Sequence, residues 1–185
     1  LTREDLEVIA DVAKQNDAWV LSDEIYSGTH YTGGHVSLAR FYPEGTIISN
    51  GLSKWCGAGG WRLGFFIFPQ SLGWLADAMA AVASETFTST SAPIQYAAVT
   101  ALEDRPEMRD YMLHSRQILA ALAGHAYRTL SDAGAVLSQP GGGFYLFPKA
   151  PTNDDVAFVR QEQQHNLLLV PGSGFGTPGY FRIAY

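Results

Sequence analysis

The chain has 185 residues, of which 46% are hydrophobic and 16% charged, so it can bury a core and is not a disordered chain. Its formal net charge of -6, with no basic run or stripe, argues against nucleic acid as a partner. The single cysteine, Cys56, excludes an internal disulfide framework and a cysteine-rich zinc site, and fits a reducing, cytoplasmic compartment.

Thr2 is placed to cap a first helix whose Leu6, Ile9, Ala10 and Ala13 fall on one face. Ala18 to Leu21 suits a buried parallel strand that ends at Ser22-Asp23-Glu24. Thr46 to Ser49 predicts a second strand, and Leu63 to Phe68 a third, closed by Pro69. Phe65 to Phe68 is the most apolar run and is only strand-sized, so no membrane span is expected. Leu72, Leu75, Met79 and Val82 mark a further helix. A long helix is expected from about residue 105, with Asp104 and Glu107 at capping-box spacing, Pro106 in the first turn and Gly134 as its stop. Short strands follow around Phe144 to Phe147, Leu167 to Val170 and Phe181 to Ala184. This order favours an α/β fold with a mostly parallel sheet and a smaller α+β domain, divided near residues 1–104 and 105–185. The chain opens on Leu1 at a helix start and stops at Tyr185 inside an apolar segment, as expected of a piece of a longer protein.

Four short segments could carry chemistry. Lys54 follows the second strand among Gly51, Gly57, Gly59 and Gly60, a context that suits covalent work better than surface solvation. Asp23, with Tyr26 close behind, lies at the C-terminal end of a strand, where open sheets bind ligands; a solvated or capping carboxylate would look the same. Arg62, within Gly60-Trp61-Arg62-Leu63-Gly64, suits a fixed anion such as a phosphate, or an ordinary structural carboxylate. Arg182 lies inside an apolar strand and needs an anionic partner if buried, from the protein or from a substrate.

Taken in order, Asp23-x-x-Tyr26, Ser53-Lys54, Gly60-x-Arg62-x-Gly64 and Phe181-Arg182 resemble the motif series of class I/II (fold-type I) pyridoxal-phosphate (PLP) aminotransferases. Gly142-Gly143-Phe144-Tyr145-Leu146 and Pro171-Gly172-x-x-Phe175-Gly176 resemble small-domain segments of the same family, so the likeness spans the chain. The resemblance implies the second half of a PLP-binding large domain in residues 1–104, then a linking helix and part of the small domain. It implies that Lys54 forms the internal aldimine and shuttles the substrate proton, that Asp23 keeps the pyridine nitrogen protonated, and that Tyr26 bonds the ring oxygen. Arg62 would grip the phosphate and Arg182 the substrate α-carboxylate. The implied reaction is ping-pong transfer of an amino group between an amino acid and a 2-oxo acid, by an enzyme that is a homodimer when intact. A PLP lyase or decarboxylase on the same scaffold, or a non-catalytic fragment, is the alternative.

Two residues depart from the family pattern. Gly51 stands where many members carry Ser or Thr, three residues before the lysine. Phe87 stands where dicarboxylate-specific relatives have an arginine, which argues against a strict aspartate or glutamate preference. Other signals are weaker. Neither glycine-rich stretch completes a dinucleotide pattern, which disfavours a nicotinamide dehydrogenase. His30 and His35 lack metalloprotease spacing and read as loop residues, so no metal is expected. Cys56, Trp55 and Trp61 read as packing residues around the Lys54 turn.

Overall fold

In a computed structural model describing residues 1–185, helix α1 (Arg3–Gln15) opens on the expected Thr2 cap. The Thr2 hydroxyl accepts from the Asp5 N–H at 3.2 Å, and the Asp5 carboxylate accepts from the Thr2 N–H at 2.8 Å. That reciprocal box satisfies two donors that a helix start leaves unpaired. Ala10 and Ala13 face inward and meet Leu38 and Tyr42, with Leu6, Val20 and Phe41 closing the cluster. Ile9, expected on the same face, lies at its exposed rim.

Three strands form the first sheet: β1 (Val20–Asp23), β2 (Thr46–Gly51) and β3 (Gly64–Ile67), in that order. β1 and β2 are parallel, with Asp23 opposite Ser49; β2 and β3 are antiparallel, with Gly51 opposite Gly64. The C-terminal ends of β1 and β2 therefore share one end of the sheet with the N-terminal end of β3. A second core gathers Leu52, Ala58 and Leu63 with Ala98, and Trp55 and Cys56 pack against it. Burial there pushes the Cys56 thiol above its ordinary pKa, as suits a packing residue. Trp61, by contrast, is 52% exposed and packs less than its sequence context suggested.

Helix α2 (Gly73–Thr86) lies where expected, yet none of its residues is buried within the chain. Helix α3 (Ala92–Leu102) was not legible, because its apolar residues surround the axis instead of marking one face. Pro93 sits in its first turn, where a missing N–H costs nothing. Helix α4 (Pro106–Asp132) starts at the expected proline and stops ahead of Gly134, which takes a left-handed φ of 87°. The expected pairing of Asp104 with the helix start gives way to a different contact. Both Asp104 oxygens accept from the Arg109 guanidinium at 2.9 Å, a charged donor that competes well with a backbone N–H.

Two compact units emerge: residues 1–28 with 34–112, and residues 29–33 with 113–185. The division falls within α4. In the second unit, β4 (Tyr145–Leu146), β5 (Val170–Pro171) and β6 (Phe181–Ala184) pair antiparallel in the order β4-β6-β5. Helix α5 (Asp155–Gln163), also unforeseen, supplies Phe158 and Val159 to a core with Ala150, Leu169, Phe181 and Ile183. Residues 29–33 join this unit through a His30–Gly142 bridge and through the Tyr31 hydroxyl, which donates to the Gly143 carbonyl at 2.7 Å. No helix is long and apolar enough to cross a membrane.

Within the first unit, Glu24 ties the loop after β1 to the strand end. It is only 8% exposed, and its carboxylate accepts from Ser37 at 2.6 Å and Ser22 at 3.1 Å and pairs with His35 Nε2 at 2.7 Å. Burial opposes its charge, but the bonds from Ser37, His35 and Ser22 outweigh burial and hold the carboxyl below its ordinary pKa. A lowered folded pKa stabilises the fold at neutral pH, and that contribution disappears as pH falls through the lowered value. Glu24→Gln should therefore cost about 1–3 kcal/mol at pH 7, judged from charge-assisted hydrogen bonds. Urea unfolding should show the gap to wild type closing as pH falls through that lowered value, where the native carboxyl itself becomes neutral.

The Gly51–Gly64 pair gives a second test. A Cβ at Gly51 would lie 2.7 Å from the Leu63 carbonyl oxygen and 3.1 Å from the Gly64 Cα, both backbone atoms that cannot swing aside. Gly51→Ser should lower stability by about 1–3 kcal/mol, the usual cost of forcing extra atoms into a packed site, read as a drop in Tm.

Candidate functional site

Asp23 closes β1 with its carboxylate exposed, and Oδ1 accepts the Ile25 N–H at 3.2 Å, which turns the chain out of the sheet. The Glu24 N–H donates to the Ser49 carbonyl at 2.9 Å and holds that turn against β2. Tyr26 follows, half-buried. β2 ends at Gly51, and the chain then winds into a tight turn that carries Lys54. Bonds from Leu52 N–H to the Leu63 carbonyl and from Ala58 N–H to the Leu52 carbonyl, each 3.2 Å, close this turn at both ends. Gly57 supplies its left-handed residue at φ 64°. The glycines after Lys54 thus build a turn. Lys54 is partly buried, and its Nζ lies 5.8 Å from the centre of the Tyr26 ring.

Arg62 leads into β3 from a single 3-10 turn, Gly59–Trp61, and itself adopts φ 57°. A left-handed arginine costs about 1 kcal/mol or more, so the surrounding turn holds it there. Its guanidinium donates to the Gly59 carbonyl at 2.7 Å, and none of the ion pairs includes it. Remaining donors face solvent, since the residue is exposed. The sheet topology thus brings Asp23, Tyr26, Lys54 and Arg62 to one end of the three strands, with the Lys54–Tyr26 approach as the direct contact.

Arg182 belongs to the second unit. It lies on β6 opposite Val170, half-buried, with its guanidinium carbon 4.4 Å from the Tyr145 ring centre and 4.6 Å from that of Phe175. No carboxylate of the chain pairs with it. The open question from sequence, whether a protein carboxylate occupies this arginine, is answered: two aromatic faces hold it instead.

Three residues that shape these sites escaped the sequence reading. Glu24 looked like a companion of Asp23 and turned out to be the buried anchor of the following loop; the His35-x-Ser37 pair that binds it is the only signal of that role. Asp155 opens α5, a helix the sequence did not announce. Its neighbour Asp154 does cap α5, accepting the Ala157 N–H at 2.9 Å, whereas Asp155 is only 4% exposed and accepts the Ser173 N–H at 2.7 Å and the Gly179 N–H at 3.4 Å. The Ser173 amide, above all, outweighs burial and lowers the Asp155 carboxyl pKa. Phe175 sits between those two amides in sequence and covers Arg182.

Comparisons with known proteins show the family to which this fold belongs. The family model for aminotransferase class I and II matches residues 1–185. Aspartate/prephenate aminotransferase of Thermus thermophilus is 31% identical over 99% of this chain and 47% of its own length. Aromatic-amino-acid aminotransferase 2 of Thermococcus litoralis is 34% identical over 100% of this chain and 49% of its own. The solved structure of Thermus thermophilus aspartate aminotransferase with maleate superposes with a TM-score of 0.94 at 30% identity, over all of this chain and 48% of that one. The chain therefore spans about half the length of the relatives it matches. Its fold is that of the corresponding part of those enzymes, and with a family model matched from end to end, the chain belongs to the class I and II aminotransferases.

Proposed function

We propose that the protein carrying this chain is a PLP-dependent aminotransferase that moves an amino group between an amino acid and a 2-oxo acid in two half-reactions. The observation that carries this reading is the placement of Lys54 Nζ over the Tyr26 ring, at the sheet end where β1 delivers Asp23. The donor set suits PLP. An exposed carboxylate can hold a protonated ring nitrogen, a phenol can bond the ring oxygen, an amine can join the aldehyde, and a guanidinium with no acidic partner can hold the phosphate. Bound there, the cofactor supplies an electron-accepting ring for the electrons released when the substrate Cα–H bond breaks.

The chain's residues then have distinct tasks. Asp23, as an anion, favours a proton on the ring nitrogen. Tyr26 orients the ring through its hydroxyl. Arg62 holds the phosphate in a fixed fork that a lysine could not reproduce. Lys54 would hold the cofactor aldehyde, and its amine would take the proton from the substrate Cα. Arg182, stacked between two rings and without an acidic partner, receives the substrate α-carboxylate. The relatives carry aminotransferase names, among them aspartate, prephenate and aromatic-amino-acid enzymes, and none supports the lyase or decarboxylase alternative. Phe87, 68% exposed at the end of α2, offers no charge to a second substrate carboxylate. A homodimer for the intact protein is what membership of this family implies. A free, half-buried Cys56 suits a cytoplasmic setting.

The test is borohydride reduction of the intact protein after PLP is added, followed by peptide mapping. Within this chain only Lys14, Lys54 and Lys149 offer side-chain amines. Label should collect on Lys54, while equal label on all three, or none on Lys54, would refute the reading. Arg182→Lys should leave cofactor labelling intact and lower kcat/KM by about 10- to 100-fold, the worth of one charge-assisted, two-pronged contact.

A further inference from the structure

We propose that Asp155 is a positioning residue for substrate binding: it clamps both ends of the 173–179 loop and so holds the Phe175 ring against the Arg182 guanidinium. This rests on the reading of Arg182 as the carboxylate-binding residue.

The loop begins at Gly172, whose position tolerates no side chain. A Cβ there would lie 2.4 Å from the Thr177 carbonyl oxygen and 2.7 Å from that of Tyr180. Two backbone bonds draw the loop in, from Gly172 N–H to Tyr180 O at 2.7 Å and from Thr177 N–H to Gly172 O at 2.9 Å. Neither pairs the amides of Ser173 and Gly179. Those two go to the Asp155 carboxylate, one to each oxygen, so a single buried side chain on α5 spans the loop. An anionic acceptor makes such bonds roughly twice as strong as neutral ones.

What the loop presents is an aromatic ladder. Tyr180 stacks on Phe147 at 5.6 Å and 6°, Phe147 meets Phe175 edge-on at 6.0 Å, and Phe175 faces Arg182 at 4.6 Å. Tyr145 covers the guanidinium at 4.4 Å. A stacked guanidinium is held in plane by its π-faces, which leaves its edge N–H groups for a carboxylate. Asp155 touches neither Arg182 nor any position the substrate would occupy on this reading. It acts through Phe175, and losing it should loosen the ring without removing the charge.

The experiment uses the intact holoenzyme and three variants. Asp155→Asn keeps size and one acceptor but loses the charge. It should speed hydrogen exchange in the 172–180 peptide and raise KM for the amino acid about three- to tenfold, the range of one cation–π contact. Its kcat and its cofactor absorbance should stay at wild-type values, which a general loss of structure would not allow. Phe175→Leu should reproduce the KM rise with exchange unchanged, and it carries the test if Asp155→Asn fails to fold. Arg182→Lys is the reference. A raised KM in R182K with unchanged KM in D155N or F175L overturns the positioning role and leaves the carboxylate role standing. An unchanged KM in R182K overturns both.

Discussion

The close backbone approach of β2 and β3 at Gly51 and Gly64 is the constraint on which the first unit's site depends. β2 is paired on both sides, parallel to β1 and antiparallel to β3. Its register fixes where each neighbouring strand begins or ends. A side chain at Gly51 would press on the Leu63 carbonyl, so the crossing can form at this distance only with glycine. Lys54 follows three residues after that point and Arg62 precedes Gly64 by two, so both are delivered by the same crossing. Asp23 reaches the same end because its strand runs parallel to β2. The departure of Gly51 from a hydroxyl residue therefore has a steric account. The position is given over to strand contact.

The second unit solves a different problem. An arginine on a half-buried strand must be desolvated in part without being neutralised by a neighbour. Aromatic faces achieve this, since they shield the guanidinium above and below while leaving its hydrogen-bonding edge unsatisfied. Tyr145 is held by its strand pairing, opposite Ala184. Phe175 is on a loop, and loops drift unless something spends hydrogen bonds on them. Asp155 is the group that does so. Arg62 and Arg182 are thus kept free of acidic partners by unlike means, Arg62 by exposure on a strained turn and Arg182 by stacking.

Much of this was legible in the sequence wherever local chemistry decides the outcome. Thr2, Pro106 and Gly134 marked helix ends through capping, a fixed φ and a left-handed φ, and the structure follows all three. Strand β6 was legible because Phe181-Arg182-Ile183-Ala184 is a mostly apolar run that follows the turn at Pro178-Gly179. Legibility failed where the decision is tertiary. α3 is apolar on every side, so no period distinguishes it. α5 is nine residues long and packs in one core with Ala150 before it and with Leu169, Phe181 and Ile183 later in the chain. Glu24 and Asp155 resemble ordinary turn and helix-start acids, and their roles arise from partners 11 to 24 residues away.

The same distinction separates the proposed site residues from their supports. Lys54, Asp23, Tyr26 and Arg62 owe their positions to strand ends and glycine turns, which a sequence announces locally. A buried carboxylate that holds a loop announces nothing, because its cost is met only once the loop has closed on it. Glu24 illustrates the exchange: burial alone would raise its pKa, and three side-chain donors reverse that shift. Asp155 does the same with backbone amides. Both carboxyls have lowered pKa values because the folded loops bring donors to them, and those same bonds hold the loops. That mutual dependence couples the order of the loop after Asp23, and of the loop beside Arg182, to the charge of a residue that touches neither the cofactor nor the substrate in the proposed reaction.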